Sequence, residues 1–257
     1  MTDDDRRLAT IRGLLAKAEA TEFPDEAEAF FAKASELIGR WSIDEAMLWA
    51  DSDESTRERP DELRLVIHSP YLPQKAVLVG VVAAAHGCRA VRLVSAPRTG
   101  TEIVSIVGFP SELLWVDTLV TSLMVQLTAA MLARRPTGMT ASGSASWRRS
   151  FIVGFAEEVG RRIEEDRAVA AAERDASART GSAGGASAAT AEAASTALVL
   201  ASRQDDVDAE LRRRHPYLRS SYASSGRSAD GRRHGRAAGR EASIGRRGLG
   251  SRRALGR

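Results

Sequence analysis

"ATEFPDEAEAFFAKASELIGRWSID", residues 20–44, carries the clearest pattern in the chain. Ala27, Phe30, Phe31, Ala34, Leu37 and Ile38 recur three and four apart, which places them on one face of a helix. Pro24 suits the first turn of that helix, where its missing N–H would have no partner. Asp25 and Glu26 set negative charge at the helix's positive end. Upstream, Leu8, Ile11, Leu14, Leu15 and Ala18 form a second apolar face, and "TEFP" separates the two. Downstream, Ser42 and Glu45 have the spacing of a capping box, which predicts a short third helix. The first 50 residues therefore read as a helical hairpin domain plus a short helix, with the apolar faces turned together.

The same stretch holds a fuller motif. Ile11, Leu14, Leu15, Lys17 and Ala18 are followed by Thr21, Glu22, Phe23, Pro24, Glu26 and Ala27, then by Lys33, Ala34, Glu36, Leu37 and Ile38. This order resembles the N-terminal domain of domain-of-unknown-function family 2786, found in bacteria and their phages. Three later stretches, "HGCRAVRL" (86–93), "IVGFPSELLWVDTLVTSLMVQL" (106–127) and "SWRRSFIVGFAEEVGRRI" (146–163), are similar to the uncharacterised domain that commonly follows it. The resemblance implies a phage or prophage setting. It implies no activity, so no catalytic residue is carried over.

Beyond residue 50 the period changes. Residues 51–62 are a polar linker, 63–68 alternate like a strand, and 74–87 suit a buried helix with Pro73 before it and Gly87 as its stop. Residues 89–96 and 101–109 read as two strands joined by a hairpin-length loop. A long helix follows at 111–134. Another opens near Trp147, where Trp147, Phe151, Phe155, Val159 and Ile163 make one ridge. Residues 179–195 are a low-complexity linker, and 196–218 read as a strand and a short helix. From 219 to 257 Ser, Gly and Arg dominate, a composition that builds no core of its own, and the expectation is a disordered basic tail. The fold class is α+β: the helical hairpin, then a domain over 63–178 with a small, mainly antiparallel sheet of three or four strands, packed by helices at 74–87, 111–134 and 147–170.

Composition narrows the setting. Hydrophobic residues make up 43% of the 257 and aromatics 5%, so the core rests on Ala, Val, Leu and Ile. A single cysteine, Cys88, excludes an internal disulfide. The opening "MTDDDRR" is acidic and has no secretory pattern. Residues 113–133 are long enough to span a bilayer, but Asp117, Thr118, Thr121, Ser122 and Gln126 form a polar stripe that fits a half-wet helix better. The expectation is a cytoplasmic protein without a membrane partner.

Charge is the sharpest functional signal. Residues 211–257 hold fourteen arginines against Asp230 and Glu241, a surplus of twelve; the whole chain carries +3, which leaves the first 210 residues at −9. A cationic segment can lie along phosphates and release counterions with little sequence preference. The candidate contacts to DNA or RNA are Arg212, Arg213, Arg214, Arg232, Arg233, Arg236, Arg240, Arg246, Arg247, Arg252 and Arg253. The alternative is that the segment docks on the chain's own acidic body. Gly231, Gly235 and Gly239, four apart, would suit a close helix contact, though glycine forms helices poorly.

Other chemistry is sparse. His86 and Cys88 flank Gly87 at a helix end, where their side chains are expected to diverge rather than form a nucleophile pair. The histidines follow no metal-ligand spacing, so no metal or cofactor is expected. "DDVDAE", 205–210, reads as the acidic first turn of a helix ending in "RRR". Arg148 and Arg149 at a helix start are mildly unfavourable there, which marks them as candidate anion binders. The leading reading is a non-enzymatic binding or accessory protein that contacts nucleic acid. The alternatives are a hydrolase-type enzyme with a site near His86, Cys88, Arg148 and Arg149, and a protein-interaction module using the helix at 24–40.

Overall fold

The computed structural model describes residues 3–21, 23–93, 100–182, 196–219, 223–242 and 244. Two helices, α1 (Asp3–Ala20) and α2 (Pro24–Asp51), form the N-terminal pair. Ile11, Leu15 and Ala18 of α1 and Ala34 and Ile38 of α2 are buried in one core, and Arg7 bonds Glu45 across the pair at 2.6 Å. No third helix starts at Ser42. Helix α2 runs straight through, because no proline or glycine interrupts 40–51 and Ile43 and Ala46 continue the buried face. Ser42 and Glu45 then face different partners, although capping-box spacing also occurs inside a helix.

After a turn at 53–60, strand β1 (Asp61–His68) leads into α3 (Leu72–Ala85), β2 (Arg89–Leu93) and β3 (Thr101–Gly108). The sheet order is β1-β3-β2, with both outer strands antiparallel to β3; Leu65 faces Val104 and Leu93 faces Ile103. Alternation divides its two faces. Leu63, Leu65, Ile67, Val104 and Ile106 turn to the main core, while Val107, with Phe109 and Val207, builds a second, smaller cluster. Helix α4 (Pro110–Ala133) is the one helix among the described residues long and apolar enough to cross a bilayer, and Leu113, Trp115, Val116, Leu119 and Leu123 on it are buried in protein.

Helix α5 (Ala141–Ser182) starts earlier and ends later than the ridge at 147–170 required. All five ridge residues, Trp147 to Ile163, are buried. Residues 183–195, most of the low-complexity linker, lie outside the described residues.

Two elements depart from the sequence reading. Residues 196–202, expected as a strand, are the first turns of α6 (Thr196–Arg214). A short apolar run is ambiguous between strand and helix. Val199, Arg203 and Val207, spaced by four, are all buried, so the helical period decides.

The second departure is larger. Within the stretch expected to be disordered, Ala229–Glu241 form helix α7, packed along α5. It has almost no large apolar side chain to bury. Its contact is made by backbone: a side chain's first carbon at Gly231, Gly235 or Gly239 would press on the α5 backbone near Trp147, Phe151 and Phe155. That order makes the two helices parallel. Removing the Cβ atoms lets the axes approach closely enough for dispersion to replace hydrophobic burial. Both ends are held. Ser228 accepts from the Gly231 amide at 3.0 Å, and Arg162 donates to the carbonyls of Gly239 and Ala242. Residues 245–257 lie outside the described residues.

Candidate functional site

The polar groups that converge are not those with the most conspicuous sequence. Helix α3 ends in a Schellman turn: the Gly87 amide donates to Ala84 O and the Cys88 amide to Ala83 O, both at 2.9 Å. Gly87 takes the left-handed conformation this turn needs, with φ +70°. The turn fixes His86 at the helix's C-cap, buried against the core. Across from it, Glu112 sits in the first turn of α4, where the helix dipole favours a carboxylate. Ser42 arrives from α2, Arg167 from α5 and Arg203 from α6, so five helices meet at one polar centre.

Glu112 is its hub. Ser42 Oγ donates to Glu112 Oε2 at 2.9 Å, and the two Nη atoms of Arg167 donate to Oε2 and Oε1 at 3.0 and 3.2 Å. His86 Nδ1 lies 3.1 Å from Glu112 Oε2 and 3.1 Å from Arg167 Nη1. The residues Glu112 and His86 keep only 4% and 2% of their surface exposed. Burial alone would push the Glu112 carboxyl up. Arg167, the His86 hydrogen bond and Arg203 outweigh it and hold the group well below the usual carboxylate range. Burial lowers the His86 imidazole below its ordinary value.

Arg203, 4% exposed, sits beside this hub. Its guanidinium carbon lies 3.9 Å from the centre of the Phe109 ring, a cation–π contact. One Nη reaches Ser111 Oγ at 3.4 Å and Glu58 at 3.6 Å. His86, Glu112, Arg167 and Arg203 line a cavity of about 170 Å³, together with Ala84, Leu200 and Gln204. Among the polar atoms around it, His86 Nε2 and Arg203 Nη1 are buried without a hydrogen-bond partner.

The enzyme reading does not assemble. The Cys88 thiol donates to the His86 backbone carbonyl at 3.6 Å while the imidazole turns to Glu112, and burial pushes the thiol far above its ordinary value. Arg148 donates to Tyr71 Oη at 3.4 Å. It stands nineteen residues before Arg167 on α5, about 28 Å along the axis at ~1.5 Å per residue, so the "SWRR" helix start and His86 belong to different places. A serine–histidine contact elsewhere also fails as a triad. Ser105 Oγ donates to Glu62 at 2.5 Å and meets His215 Nε2 at 3.1 Å, but Glu62 lies 3.6 Å from that same nitrogen. A relay needs serine and carboxylate on opposite nitrogens. Here the three groups tie the end of α6 to the sheet. Among the described residues no group of three or more His, Cys, Asp or Glu is arranged to hold a metal ion. Of the "DDVDAE" carboxylates, Asp208 pairs with Arg89 at 2.7 Å and Glu210 takes Arg213 and Arg214.

The basic segment divides. Arg214 also reaches Asp61 at 2.9 Å, Arg232 and Arg236 both bond Glu157 of α5, and Arg233 holds Asp230 at 2.5 Å. Arg149, Arg212 and Arg240 are exposed. Arg246, Arg247, Arg252 and Arg253 lie outside the described residues. On the 24–40 helix, Ala34 and Ile38 are buried and Phe30 and Leu37 pack on the core, so its apolar stripe faces its own chain.

The sequence reading did not name Glu112, Arg167 or Arg203. The available signal was a carboxylate in the first turn of an otherwise apolar helix, and an arginine at the buried spacing of Val199 and Val207.

What these features define is an α+β protein with a helical N-terminal pair and one buried polar centre. Its residues 6–45 match the family described as Protein of unknown function (DUF2786). That match includes Ser42 and ends before the sheet and the other members of the polar centre. No curated protein matches the chain, and no solved structure does.

Proposed function

We propose that the protein is a non-enzymatic accessory protein that holds DNA or RNA against an arginine surface at its C-terminal end. One observation supports this: the positive surplus outlasts the internal pairing. Residues 211–257 contain fourteen arginines, and the body's partners for them in the described residues are Glu210, Asp61, Glu62 and Glu157. Arg212 and Arg240 are exposed, and residues 245–257 add five arginines with no carboxylate. Guanidinium groups bind phosphate oxygens through a planar fork, and each neutralised phosphate releases counterions.

The docked helix narrows the contact set. Arg213, Arg214, Arg232 and Arg236 hold carboxylates of their own chain and fall to a secondary role. Arg212, Arg240, Arg246, Arg247, Arg252 and Arg253 carry the contact. Cutting the chain at 218 would strip α7 from α5, so substitution is the sounder test. Binding of labelled duplex DNA is measured across a salt series for the full chain and for the variant with Arg246, Arg247, Arg252 and Arg253 changed to Ala. Losing four phosphate contacts should lower the slope of log affinity against log salt by about 3 to 4. Equal slopes and affinities would overturn the reading.

A further inference from the structure

We propose that the cavity between the end of α3 and α6 binds a small oxyanion, a carboxylate or a phosphate, gripped by Nη1 of Arg203 and Nε2 of His86. Buried polar atoms almost always have partners. These two, on side chains more than nine-tenths buried, have none, and both line the same cavity.

Among the described residues no carboxylate is placed to serve them. Glu112 is engaged by Ser42, His86 and both Nη atoms of Arg167. Glu58 approaches the other Nη of Arg203 and takes the Ser111 amide and hydroxyl at 3.1 and 3.0 Å. Two guanidinium groups thus face one fully buried carboxylate, and with Glu58 a third exposed and on the other Nη, Nη1 of Arg203 is left to an anion. The Phe109 ring stacked on Arg203 fixes the plane of the fork, which suits the two oxygens of an oxyanion.

His86 donates from Nε2 as the neutral Nε2–H tautomer or as the imidazolium. Its Nδ1 can accept from Arg167 Nη1 or, once protonated, donate to Glu112 Oε2, each at 3.1 Å. The cavity's 170 Å³ takes about five or six water-sized groups, enough for phosphate or a short carboxylic acid and too few for a nucleotide. None of these residues belongs to the nucleic-acid surface, so the two proposals stand or fall separately.

The full chain is titrated with inorganic phosphate and with acetate at constant ionic strength, with chloride as control. Saturable heat is expected for at least one anion, with a thermal midpoint that climbs with its concentration. His86→Gln and Arg203→Gln should each weaken that binding by about tenfold or more. Leu200→Trp, on the half-buried lining and outside the polar centre, should keep the fold and fill the cavity; it decides the matter if Arg203→Gln fails to fold. No response to either anion beyond that to chloride would overturn the proposal and leave water as the occupant. So would binding that survives unchanged in both His86→Gln and Leu200→Trp.

Discussion

Arginine meets carboxylate in two settings here, and the contrast shows what each set of charges is for. Around Glu112, Arg167 and Arg203 are sealed among five helices. Around Glu157, Arg232 and Arg236 have side chains 44% and 50% exposed. In the first place the groups are buried, so removing one partner strands a charge in a low dielectric. In the second, water and salt replace whatever is lost. The inner arginines therefore help fix how the helices sit. The outer ones add little to the docking of α7, which rests on its glycine seam.

Glu112→Gln should break the contrast most severely. It leaves Arg167 and Arg203 without their buried counter-charge and is expected to cost about 3–5 kcal/mol in chemical denaturation. A loss below about 1 kcal/mol would mean that the centre is wetter and weaker than its geometry implies.

Gly235→Leu comes next. The added side chain meets the Phe151 backbone, with an expected cost of about 1–3 kcal/mol and faster proteolysis within 223–242. Unchanged stability and protease resistance would show that the seam does not hold α7.

Acid sharpens the comparison at the inner site. Glu112 and His86 both have folded-state values below their ordinary ones, 4.5 and 6.5, so the unfolded chain takes up protons more readily. Their stabilising contribution is full above those values and is lost as pH falls, first below 6.5 through His86 and then below 4.5 through Glu112. His86→Gln should flatten the upper part of the acid limb and Glu112→Gln the lower part. A stability profile of unchanged shape in both variants would contradict this assignment. The smallest effect is expected from Glu157→Gln, under about 1 kcal/mol in the same denaturation assay and reduced further by salt.

Much of this architecture was legible in the chain. The stripe from Ala27 to Ile38 gave the N-terminal pair, alternation in 63–68 gave one strand, and the hairpin read at 89–96 and 101–109 is the β2–β3 pair, while the pairing of β1 with β3 was not legible. The ridge from Trp147 to Ile163 gave the inner face of α5. Helix α7 was hidden for a physical reason: its docking uses missing side chains, and the glycines that permit close approach are the residues that argue against a helix. The polar centre was hidden differently. Ser42, His86, Glu112, Arg167 and Arg203 are each unremarkable locally, and up to 161 residues separate them, so only the packing of five helices brings them together. The "SIDE" capping pattern misled because its serine serves that centre instead.

We propose that the arginines of 245–257, rather than Arg232 and Arg236, which pair with Glu157, meet nucleic acid. The direct measurement is the salt dependence of DNA binding by two full-length variants, one with Arg246, Arg247, Arg252 and Arg253 changed to Ala, the other with Arg232 and Arg236 changed to Ala. The account predicts a slope lower by about 3 to 4 in the first and nearly unaltered in the second. A second variant that loses as much as the first, or a parent chain that does not bind DNA at low salt, would contradict it.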